Sequence, residues 1–72
     1  MPEWTPKHPL TLREHEVLYL TARGLNTKAI ARRLQIAPGT VTSHRARILS
    51  KLGVDSMVSA VRWAIREGLI EP

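Results

Sequence analysis

Seventy-two residues allow one small domain with a thin core, and the absence of cysteine excludes a disulfide framework or a thiolate-held metal site. No apolar run approaches the roughly 18 residues of a membrane span, and the polar, proline-bearing start MPEWTPKHP lacks the apolar stretch of a signal peptide, so the chain reads as a cytoplasmic protein without a membrane partner. The formal charge is +5 and it is segregated: no Asp or Glu stands between Glu16 and Asp55, while Arg23, Lys28, Arg32, Arg33, Arg45, Arg47 and Lys51 all fall in that interval. A solvated helix surface would carry acids to pair with these cations at i,i+4 spacing; a one-signed stretch is the electrostatic footprint of a nucleic-acid surface.

Pro2, Pro6 and Pro9 fix φ and remove donors, so residues 1–9 read as a flexible tail, a linker remnant or short arm, ahead of a domain at 10–72. "TLRE", Thr11 to Glu14, is a capping box that opens a first helix. Val17, Leu18, Ala22 and Leu25 keep helical spacing behind it, and Gly24 suits its end. Asn26 caps a second helix with Ile30, Ala31 and Leu34 on its apolar stripe and Lys28, Arg32 and Arg33 mostly off it. After the turn QIA, Pro38 fits the first position of a third helix, although Ala37 before it offers no side-chain acceptor. That helix, 38–52, stops at Gly53; Asp55 or Ser56 caps a fourth, which runs toward Gly68. Nothing alternates at period two over a strand's length. The chain reads as all-α, a four-helix bundle-like domain.

Two helices joined by a turn of about three residues make a helix-turn-helix, whose second helix enters the major groove while the first crosses the backbone. At 100° per residue, Val41, His44, Ile48 and Leu52 gather on one side of the third helix and Gly39, Ser43, Ala46, Arg47 and Ser50 on the other, with Thr40 and Thr42 beside the second group. The first side packs. The second is small and polar, with Arg47 as its strong donor. His44, on the core side, reads as a packed histidine with a local hydrogen bond. His15–Glu16 begins like a metalloprotease pair, but no His follows four residues after His15. No nucleophile, base and acid converge and no glycine loop cradles a phosphate, so neither an enzyme nor a cofactor is implied. Met57, Val58, Val61, Ala64 and Ile65 give the fourth helix a wide apolar face, with Ala60 and Trp63 beside it. More apolar surface than the domain itself needs points to a homodimer through Ala60, Trp63, Ala64 and Glu67; the plainer reading lays Trp63 over the domain's own edge, against Trp4.

The stretch LTLREHEVLYLTARGLNTKAIARRLQIAPGTVTSHRARILSKLGV resembles the DNA-binding domain of LuxR-type regulators. The resemblance covers about residues 10–70. It rests on Leu10, Thr11, Arg13, Glu14, Glu16, Val17, Leu18, Gly24, Ile30, Ala31, Leu34, Thr40, Val41, His44, Ile48, Lys51, Leu52, Gly53, Ala60 and Gly68. It implies a bacterial four-helix domain that binds double-stranded DNA through its third helix and pairs through its fourth; in length the chain is similar to small spore-coat regulators. It also departs from the usual pattern: Thr42 replaces a common Lys, Ala46 a polar or basic residue, Ala37 a capping Ser, Ala29 a capping-box Glu and Met57 an Arg. The expected DNA contacts are therefore Lys28, Arg32, Arg33, Thr40, Thr42, Ser43, Arg45, Ala46, Arg47, Ser50 and Lys51. Two alternatives stand beside a dimeric transcription regulator. One is a sigma-factor region-four-like domain, which would also grip RNA polymerase. The other is a module that keeps the fold but binds a protein of the transcription machinery; Thr42 and Ala46, which thin the base-reading set, keep it open.

Overall fold

In the computed structural model, which describes residues 9–71, four helices follow one another: α1 (Leu12–Ala22), α2 (Thr27–Leu34), α3 (Pro38–Leu52) and α4 (Met57–Arg66). There is no strand among the described residues. Most of the proposed tail, with Trp4, lies outside them.

The start signals act as their chemistry requires. Thr11 Oγ1 accepts the Glu14 N–H at 3.1 Å and Glu14 Oε1 accepts the Thr11 N–H at 2.9 Å, a closed capping box. Asn26 Oδ1 accepts from the Ala29 N–H at 2.9 Å, and Ser56, of the two residues proposed, caps α4 by accepting from the Ser59 N–H. Ala37 makes no side-chain cap bond, and Pro38 follows it.

All four helices end alike. The second residue past the turn returns its N–H to a carbonyl one turn back: Leu25 to Leu20, Ile36 to Ala31, Val54 to Leu49 and Leu69 to Ala64. The motif needs a left-handed residue just before the returning one. Gly24, Gly53 and Gly68 take it, but after α2 it is Gln35, at φ 58°. The turn of the helix-turn-helix is thus built on a non-glycine residue in a region that L side chains seldom enter. Nothing in "QIA" announced it.

The core is formed by Leu10, Val17, Leu18, Leu20, Ile30, Ala31, Val41, Ile48, Ala60, Ala64 and Ile70. α1 and α2 pack most heavily on α3, and α4 closes the remaining side against α1 and α3. Ala60 and Ala64 have no exposed surface. These two small side chains let α4 lie close on the domain. They face inward, which removes both from any surface a partner could touch and corrects their assignment to a dimer contact.

Ala37→Ser should supply the missing cap of α3 and raise stability by about 0.5–2 kcal/mol, seen as a higher midpoint in thermal unfolding; an unchanged or lower midpoint would show that the α3 amides are already satisfied.

Candidate nucleic-acid interface

The outer face of α3 is open. Gly39, Thr40, Thr42, Ser43, Ala46, Arg47 and Ser50 are all exposed, while Val41 and Ile48 are fully buried behind them. The wheel drawn from sequence is therefore the face observed. Thr42 donates its hydroxyl to the Pro38 carbonyl at 3.3 Å, so its remaining offer is a methyl group and lone pairs. His44 is half-buried on the inner side, as expected of a packed histidine, and its Nδ1 has no hydrogen-bond partner among the described residues.

Two cations of the expected contact set are engaged inside the domain. Lys51 Nζ donates to Glu14 Oε1 at 2.7 Å, and the Glu14 side chain is only 2% exposed. Arg45 Nη1 donates to Thr27 Oγ1 at 2.7 Å, across from α3 to the first residue of α2. Sequence reasoning missed both bonds. They span 37 and 18 positions, and no local pattern reports a contact at such separations. The five other cations of the acid-free stretch, Arg23, Lys28, Arg32, Arg33 and Arg47, are exposed. Lys28 and Arg32, four apart, share a face of α2. Arg33 instead lines a groove of about 290 Å³ against α1, with Glu16, Tyr19, Leu20 and Leu34. Glu16 also meets Arg13 at 3.8 Å, a partly exposed pair at the long end of ion-pair distance and of little energetic weight.

Burial raises the Glu14 carboxyl, but the Lys51 hydrogen bond, the Thr11 N–H, the Lys51 charge and the Thr11 hydroxyl together outweigh it and hold the group below its ordinary value of 4.5. One carboxylate thereby starts α1 and pins the C-terminal end of α3.

On α4 the open surface differs from the one expected. Trp63 is half-buried against the core and Glu67 is exposed. Val58 is 62% exposed, and with Thr21, Ala22, Met57, Val61 and Arg62 it lines an apolar groove of about 360 Å³ between α1 and α4. Among the described residues no helix is long and apolar enough to cross a membrane.

Comparison with known proteins supplies the context for this geometry. Residues 8–64 match the family described as bacterial regulatory proteins, luxR family. The transcriptional regulatory protein DesR of Bacillus subtilis (strain 168) is 43% identical over 65 residues, 90% of this chain and 33% of that protein. The probable transcriptional regulatory protein NarL of Mycobacterium tuberculosis (strain ATCC 25618 / H37Rv) is 44% identical over 62 residues, 86% of this chain and 29% of that one. The chain thus spans about a third of the length of these curated relatives. Among solved structures, the transcription factor GerE superposes with a TM-score of 0.85 at 34% identity, covering 89% of this chain and 96% of that one. The response regulator ChrA of a heme-sensing two-component system gives 0.80 at 36% identity, covering 97% of this chain and 33% of that one.

Because the Glu14 carboxyl is held low in the folded state, it adds stability above its ordinary value of 4.5, and that stability is lost as pH falls through the lowered folded value. Glu14→Gln should cost about 1–3 kcal/mol at pH 7, with the gap to the unaltered protein narrowing steadily below pH 4.5 in urea titrations; a gap that stays constant with pH would mean that the carboxylate charge contributes nothing.

Proposed function

The chain belongs to the luxR family of bacterial regulatory proteins and carries that family's helix-turn-helix DNA-binding domain, and from this premise we propose that it regulates transcription in the cytoplasm by seating α3 in the major groove of duplex DNA as a homodimer. The observation that carries the reading is the outer face of α3, small and exposed over its whole length, with Arg47 as its one long donor. Small side chains let the helix backbone approach the base edges. Arg47 can bond a guanine bidentately, while Thr40, Thr42 and Ser43 offer methyl contacts or phosphate bonds and Ala46 a thymine methyl contact. Ser50 stands at the far end of this face. Lys28 and Arg32 lie on the helix that crosses the backbone and act by charge, with Arg33 more peripheral because it faces the α1–α2 groove.

One strong reader per subunit makes base readout modest, so much of the affinity comes from the basic margin and part of the specificity from DNA shape. Arg47→Ala should cost about 1–3 kcal/mol of discrimination. In selection from a random duplex library, the unaltered protein should enrich inverted repeats with half-sites about 34–36 Å apart, and the variant should lose preference at one base pair in each half. An Arg47→Ala profile identical to the parent would remove α3 from the groove.

Pairing through α4 is part of the same reading, but on a face other than the one the sequence suggested. With Ala60 and Ala64 inside the core and Trp63 half-buried, the open apolar surface lies around Val58, with Met57 and Val61 beside it. Trp63 and Glu67 do not line the groove around Val58; at 100° per residue they fall on the other side of α4, so this reading of the pairing leaves them out. Val58→Glu should remain folded, because Val58 is 62% exposed, yet lose cooperative occupation of paired half-sites and scatter light as one protomer per half-site. Cooperative binding that survives the substitution would exclude this face.

A further inference from the structure

Arg45 belongs to the groove helix but not to its open face. It is half-buried, whereas Ala46 and Arg47 next to it are exposed. Its Nη1 donates to Thr27 Oγ1 at 2.7 Å, near the short end for N–H···O bonds. Its Nε is shielded from solvent and has no hydrogen-bond partner among the described residues. A guanidinium meant only for a phosphate would leave its five donors in water. Here one donor is left shielded so that another can reach α2, and such a loss persists only where the arrangement fixes the side chain.

Thr27 occupies a stiff position, the first residue of α2, directly after the Asn26 cap. Ile30 and Ala31 of α2 and Val41 of α3 lie in one apolar core on which the two helices pack, and apolar contacts are non-directional. A side-chain bond between a capped helix end and the middle of the groove helix adds the direction they lack.

We infer that Arg45 is a positioning residue: by donating to Thr27 it fixes the angle between α2, which crosses the DNA backbone, and α3, and so sets the base step at which Arg47 arrives. The inference rests on the DNA-binding reading above. It takes Arg45 out of the set of direct DNA contacts and brings in Thr27, which sequence reasoning had left aside.

The test compares Thr27→Val, Thr27→Ser and Arg45→Lys with the unaltered chain in selection from a random duplex library, with salt titrations and melting curves on each. Thr27→Val replaces the hydroxyl by a methyl group and so removes the acceptor at nearly constant shape. Arg45→Lys keeps the charge but loses the planar fork and its reach. Both should broaden or shift the preferred base step under Arg47 and weaken binding to the selected site by roughly tenfold, with the salt slope unchanged. Thr27→Ser keeps the hydroxyl and should keep the parental profile. A fold defect alone would lower the melting midpoint without moving the preferred step. If Thr27→Val and Arg45→Lys both enrich the parental sequences with parental affinity, Arg45 is a charge facing phosphate and the inference is overturned. If the unaltered chain enriches no duplex, the DNA-binding reading itself falls, and the inference with it.

Discussion

Val41 and Ile48 have no exposed surface because α1, α2 and α4 all close on the back of α3. That one-sided grip is the constraint from which the rest of the domain follows. A helix buried on one side only must spend its large apolar residues there, and its other side is left to small and polar ones. The grip is tightened at two places by polar bonds. Near its end, Lys51 is held by Glu14 of α1; at its middle, Arg45 is held by Thr27 of α2. The N-terminal end has no side-chain cap, so α3 is fixed from its flank and far end more than from its start.

The same bonds sort the charges. The acid-free stretch looks uniformly basic in sequence, but folding divides it. Lys51, itself exposed, is paired with a buried carboxylate and half-buried Arg45 is turned toward a hydroxyl, while Arg23, Lys28, Arg32, Arg33 and Arg47 are exposed. Exposed cations gain most from an external polyanion where no acid stands near them, as Glu16 does near Arg33, and they confer an affinity that falls with salt. The positive field and the small outer face of α3 are complementary features. In the proposed reading the field draws a duplex in without regard to sequence, and the helix face adds the modest readout that one arginine and a few short side chains allow.

Much of this was legible in the sequence because it is local. The Thr11–Glu14 box, the Asn26 cap, Pro38 after an uncapped Ala37 and the glycines after three helices each act within a few residues, and the helix spans follow from them. The exposed stripe of α3 followed from its 100° period. What the sequence hid is non-local or ambiguous in volume. Glu14 reads as a capping residue, and nothing near it says that Lys51 will complete its shell. Gln35 gives no sign that it will take the left-handed position. Ala60 and Ala64 suit a close interface within the domain as well as one between domains, and only the packing of α4 shows that the domain keeps them for itself. The exposed apolar residue on that helix is Val58, which the sequence placed on the same broad face as residues that turned inward.

Contact between the outer face of α3 and duplex DNA is what the proposed function requires above all. It is tested most directly by titrating the isotopically labelled domain with a short selected duplex and following backbone amide resonances. Shifts should concentrate at Thr40, Ser43, Ala46, Arg47 and Ser50 of α3 and at Lys28 and Arg32 of α2, with the groove around Met57, Val58 and Val61 moving only when a second half-site is present. Shifts confined to the α1–α4 groove, with the α3 face silent, would contradict it and would make the domain a protein-binding member of its family.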